Sequence, residues 1–185
     1  MGNDDRGAWL GGLRRYLAVL ALASLAWEIG HTPLYTIWSE ASPGEIAFAI
    51  AHCTAGDVLI GLSALAAALV VFGAAGWPGE RFGAVAAATI VVGIAYTAFS
   101  EWLNIVVREA WAYTDAMPTV PVGGFELGLS PIAQWLVVPA LAFAAARRGI
   151  SSTRTAPTRT APTRTSSTRT FTLRRPSPAH RENAS

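Results

Sequence analysis

Trp27-Glu28-Ile29-Gly30-His31-Thr32-Pro33-Leu34-Tyr35 decides the fold, because it sets an acid and a histidine inside an apolar run that extends from about residue 16 to 38. A helix of that length, rising ~1.5 Å per residue, crosses roughly 30 Å of hydrocarbon. An ionisable side chain at such depth costs several kcal/mol unless another group meets it. On a helix Glu28, His31 and Tyr35 stand at i, i+3 and i+7 and share one face. The rest of the chain therefore has to supply partners for that face.

Three more apolar runs follow, over about 46 to 75, 82 to 108 and 126 to 146, each long enough to span a bilayer. Only 14% of the 185 residues are charged and mean hydropathy is positive, which leaves too little polar surface for a water-soluble globule. Ala, Gly, Leu and Val dominate the runs, a composition suited to helices that approach closely through small residues. No alternating barrel-strand pattern occurs. The reading is all-α: an integral membrane four-helix bundle over residues 16–149, preceded by a polar cytoplasmic segment, 1–15, and followed by a disordered basic tail, 150–185.

The N-terminal segment carries Arg6, Arg14 and Arg15 before the first run, a layout shared with secretory signals, and Ala21-Leu22-Ala23 resembles a cleavage motif. Apolar character resumes after Glu28, which favours an uncleaved helix. Ser42-Pro43-Gly44-Glu45 reads as a capping box with proline at the first helical position. Gly76-Trp77-Pro78-Gly79-Glu80-Arg81 reads as a tight turn. Trp111 to Gly124, rich in aromatic residues, Pro and Gly, reads as a loop that anchors at the bilayer interface or covers a site. The fourth helix opens at Ser130-Pro131 or slightly earlier, at Glu126.

From residue 151 the composition changes. Arg154, Arg159, Arg164, Arg169 and Arg174 recur every five residues in a Thr/Arg/Pro repeat that can build no core. Anionic lipid beside the last helix is the partner assigned to this tail. Nucleic acid is not, because the tail lacks the interleaved aromatics that base stacking uses. All 14 basic residues are arginine, a composition typical of a GC-rich bacterial genome, from which an inner-membrane location is expected. The single cysteine, Cys53, permits no internal disulfide. The arginine-bearing ends define the cytoplasmic side, which puts both termini inside and leaves Arg108 as the one irregularity.

Counting inward at ~1.5 Å per residue puts Glu28, His31, His52, Asp57, Glu101 and Gln134 roughly 10 to 18 Å below the outer helix ends. The cytoplasmic half of each run is almost wholly apolar. One polar cluster in the outer half of the bundle follows, with Tyr35, Asn104, Arg108 and Gln134 supporting it. Its inventory supports several chemistries. A divalent metal would take nitrogen from His31 and His52 and oxygen from Glu28 and Glu101, with Asp57 orienting a histidine, and would act on a small lipid-soluble substrate. A haem would sit between His31 and His52. Acid–base or proton-coupled work would use Glu28, Glu101 and Asp57 with a histidine, and transport through so few helices would require a homo-oligomer. A packing network without chemistry is the remaining reading.

Overall fold

In the computed structural model, which describes residues 3–153, helix dominates. Helix α1 runs Asn3–His31 and passes through a 3-10 turn, Thr32–Leu34, into the short α2, Ile37–Glu40. Then come α3, Pro43–Phe72, and α4, Phe82–Trp102, the latter extended by a π-helical turn over Leu103–Val107. A hairpin of β1, Thr119–Val122, and β2, Phe125–Gly128, leads into α5, Leu129–Thr153. Four helical segments, Asp5–Leu34, Pro43–Phe72, Phe82–Val107 and Leu129–Arg148, are long and apolar enough to cross a membrane.

Each long helix packs on two others: α1 on α3 and α5, and α4 on α3 and α5. The chain alternates direction, so the Glu40–Pro43 connection and the hairpin share one end, here the upper, and the 73–81 turn lies at the other, the lower. Leu20 of α1 packs so tightly on Gly61 of α3 that a Cβ there would come within 2.6 Å of its Cδ2. On the opposite side Gly93 of α4 lies flat against the Trp135 ring of α5, and any Cβ would overlap the indole. These are the close approaches that small residues permit between helices. The lower half is filled by Tyr16, Leu20, Leu65, Leu69, Val85, Val138 and Phe143. Val70, Val71 and Leu59 point outward and are largely exposed.

Several boundaries differ from the sequence reading. Residues 3–15 are not a separate segment but the first turns of α1, tied down where Trp9 Nε1 donates to Ala74 O at 3.2 Å and its ring meets Trp77 edge-on. The fold is not purely helical. The stretch read as a loop closes as a two-stranded antiparallel hairpin, Thr119 opposite Gly128 and Val122 opposite Phe125. Gly123 and Gly124 both take positive φ, 55° and 89°, which is what a two-residue hairpin turn demands. The capping box is present: Ser42 Oγ accepts from Glu45 N, and the Glu45 carboxylate accepts from Ser42 N at 2.9 Å. The arginine-rich tail lies outside the described residues.

Candidate functional site

A cavity of about 760 Å³ opens among the upper halves of the four long helices. All nine residues singled out from the sequence line it: Glu28, His31 and Tyr35 from the first span, His52 and Asp57 from α3, Glu101, Asn104 and Arg108 from α4 and its π turn, and Gln134 from α5.

Two hydrogen-bonded groups organise its walls. The first centres on His31, which is buried. Its Nδ1 lies 3.1 Å from Ser130 Oγ and its Nε2 3.1 Å from Glu28 Oε2. With the ring proton on Nε2, the Glu28 carboxyl oxygen accepts that hydrogen bond, and Nδ1 accepts from the serine hydroxyl. Gln134 Nε2 then donates to the other Glu28 oxygen at 3.2 Å and to Asp57 Oδ2 at 2.5 Å. A continuous path therefore runs Ser130, His31, Glu28, Gln134, Asp57 and ties α5, α1 and α3 together. The helical spacing of Glu28 and His31 makes their contact local; the amide of Gln134 makes the path long-range. Thr32 Oγ1 donates back to the Glu28 carbonyl and holds the end of α1.

The second group centres on Glu101, also buried. Its Oε2 accepts from Tyr113 OH at 2.5 Å and from Tyr35 OH at 3.3 Å. Tyr113 OH in turn accepts from Gly128 N at 3.0 Å, which fastens the hairpin to the site. Tyr113 lies in the connection after the third span, and burial first, then the nearby Glu101 carboxylate, raises its pKa above the ordinary tyrosine value, so it stays protonated and serves as a donor. Backbone contacts set this arrangement: Tyr35 and Tyr113 form an antiparallel bridge, Thr36 N donates to Ala112 O at 3.0 Å and Thr114 N to Leu34 O at 2.9 Å. The tyrosine rings stand 5.4 Å apart, and His31 meets Tyr35 edge-on, also at 5.4 Å, linking the two groups.

Comparison with protein families, with curated proteins and with solved structures finds no match to this chain. The reading of the site rests on its geometry.

That geometry does not support the metal-ligand expectation for His31, His52, Glu28 and Glu101. Among the described residues no three His, Cys, Asp or Glu side chains are grouped to hold a metal ion. The donors face one another instead: both ring nitrogens of His31 are bonded, Glu28 is taken up by His31 and Gln134, and one oxygen of Glu101 holds two phenols. Nor does His31 present a nitrogen to a haem iron, while His52 is exposed and stacks on Phe48 at 5.7 Å. Asn104 turns to its own helix and donates to Ser100 O at 2.8 Å, next to the π turn. Arg108 is exposed at the cavity edge. Cys53 is a half-buried lining residue.

Three participants were not singled out from the sequence. Ser130 was read as a helix cap, Tyr113 and Trp111 as interfacial aromatics. Trp111 lines the cavity with a buried Nε1 that has no hydrogen-bond partner. The sole signal for Tyr113 was its place in a long polar-aromatic connection between helices, the kind of segment that often carries function.

Proposed function

We propose that this chain is a multi-pass membrane protein whose own side chains perform acid–base catalysis on a small lipid-soluble molecule admitted to the upper cavity. The membrane assignment draws on the four apolar helices and on the distribution of charge. Arg14, Arg15, Arg81, Arg147 and Arg148 cluster at the lower end, whereas Glu40, Glu45, Glu109, Asp115 and Glu126 oppose Arg108 at the upper. That asymmetry orients the lower end to the cytoplasm and the cavity to the outer face of a bacterial inner membrane.

The observation that carries the catalytic reading is the hydrogen-bonded chain Ser130–His31–Glu28, braced by Gln134 and Asp57, whose Glu28, His31, Gln134 and Asp57 line the same cavity as Glu101 and Tyr35. A histidine whose second nitrogen is oriented by a carboxylate is the arrangement that moves protons at neutral pH. In this proposal the Ser130 hydroxyl turns away from His31 Nδ1 when substrate enters, Nδ1 takes the substrate proton, and Glu28 on Nε2 stabilises the charged ring. Glu101, fixed by the Tyr35 and Tyr113 hydroxyls on one oxygen, presents its other oxygen to accept a hydrogen bond from the substrate. Trp111 Nε1 donates to a polar group of the substrate, and Phe48, Tyr96 and Trp135 supply apolar wall. Transport is the weaker reading, because the lower half is filled by a hydrophobic core among the described residues.

The test uses the full chain in lipid nanodiscs with a bacterial lipid extract in water carrying both deuterium and oxygen-18. Carbon-bound deuterium reports proton abstraction, and oxygen-18 reports hydrolysis. Incorporation of either label that is lost in Glu28→Gln and in His31→Gln supports the proposal. No incorporation, or incorporation unchanged in both variants, overturns it.

A further inference from the structure

A second concavity, of about 610 Å³, lies at the lower end between α4 and α5, remote from the acid–base site. Its α4 wall is Phe82, Ala86 and Ile90, one helical face at i, i+4 and i+8; its α5 wall is Ala140, Ala144 and Arg147, with Phe143 between. Phe82 and Phe143 meet edge-on at 5.7 Å, and Tyr16 backs Phe143 at 4.9 Å, so the floor is rigid and aromatic. Alanines on both walls leave room along the groove for roughly 12 Å, the rise of eight helical residues. At the lower rim the lining changes to Arg147 and Arg148, with the Arg147 guanidinium 5.0 Å from the Phe82 ring centroid and so held over the mouth. Arg81 immediately precedes Phe82 at the same end.

We propose that this groove seats one anionic phospholipid of the cytoplasmic leaflet, with an acyl chain between Ala86, Ile90, Ala140 and Ala144 and the phosphodiester on Arg147 and Arg148. The occupant follows from the pairing of two features. A zwitterionic lipid would fill the groove and gain little from two guanidiniums, and free phosphate would meet the arginines and leave the groove empty. An anionic phospholipid satisfies both, and basic pockets between transmembrane helices on the cytoplasmic side are where such headgroups bind. The bidentate fork of arginine matches phosphate geometry. This inference rests on the membrane reading above, and recovery of the chain in the membrane fraction checks that reading separately.

The experiment measures the thermal unfolding midpoint of the full chain in a non-ionic detergent, titrated with phosphatidylglycerol, phosphatidylcholine or inorganic phosphate. Two variants accompany it: Ala144→Phe fills the groove and keeps every charge, and Arg147→Gln/Arg148→Gln keeps the groove and removes the charges. The expected result is a saturable rise with phosphatidylglycerol alone, lost in both variants. Ala144→Phe retaining the full rise would assign the effect to the arginine-rich residues 154–174 and overturn the site. Equal rises with phosphatidylglycerol and phosphatidylcholine would overturn the headgroup assignment, and so would a double-arginine variant with the full rise. Each variant's lipid-free midpoint shows whether it has folded.

Discussion

Gln134→Leu tests the central joint of the polar network. Its amide is the donor that joins Glu28 on α1 to Asp57 on α3 from a position on α5, through bonds of 3.2 and 2.5 Å. Gln134 is buried, so water cannot replace the lost donor from its own side. Interhelical hydrogen bonds within membranes average ~0.6 kcal/mol and reach ~1.7 kcal/mol. Two bonds lost together give a destabilisation of about 1 to 3 kcal/mol. Gln134→Glu should cost more than the leucine variant, because it sets a further carboxylate beside two others. The assay is reversible unfolding in mixed micelles, with Asp57→Ala and the Asp57→Ala/Gln134→Leu double variant completing a cycle. A coupling of about 0.6 to 1.7 kcal/mol between Asp57 and Gln134 is expected. Gln134→Leu as stable as the parent chain, or a coupling of zero, would refute the reasoning and reduce the bridge to two side chains that merely lie close.

Gly93→Ala should destabilise by about 1 to 3 kcal/mol through overpacking against Trp135, and Trp135→Leu should relieve much of that loss; an unchanged midpoint in Gly93→Ala would contradict the flat contact. Tyr113→Phe removes the donor to Glu101 and the acceptor of Gly128 N–H. Amide exchange should quicken across the hairpin and leave the lower halves of the helices unchanged, whereas uniform protection would show that the phenol does not fasten the hairpin. A cysteine at Ala41 in a Cys53→Ala background should label only from outside the cell and one at Ala74 only from the cytoplasm, with the reverse pattern disproving the orientation.

The four spans were legible because length and hydropathy act over twenty residues or more, and no local detail can outweigh them. The cavity residues were legible for a related reason. Glu28, His31, Asp57, Glu101 and Gln134 interrupt apolar runs, where each polar group carries a cost that only company removes. Ser130 stands at the start of the fourth run, where it reads as a helix cap, and Tyr113 lies in the connection between runs, where a polar side chain costs little, so the sequence marked neither as a site residue. His52 stands inside a run yet is exposed, since a helical wheel gives angles within one helix and not the rotation of that helix against its neighbours. The hairpin did leave a signal, Gly123-Gly124 between two short β-prone stretches, and the prolines at 118 and 121 obscured it. Pro121 is tolerated because a hairpin of two strands is all edge.

The division of the molecule into two halves follows from how these costs are met. In the lower half apolar packing dominates the joints between helices, with Leu20 against Gly61 and Phe143 between Tyr16 and Phe82, and Tyr16 OH adds one buried hydrogen bond to Gly61 O at 3.3 Å. The cavity lies above that packing, with His52, Arg108 and Trp111 in its lining. In the upper half the helices are held apart around the cavity and joined by polar contacts that individually contribute little in a membrane. Under the proposed function those contacts rearrange when a substrate offers better partners, while the apolar packing of the lower half holds the helices in place. A bundle packed apolar throughout would hold its helices more firmly and leave the buried carboxylates nothing to act on.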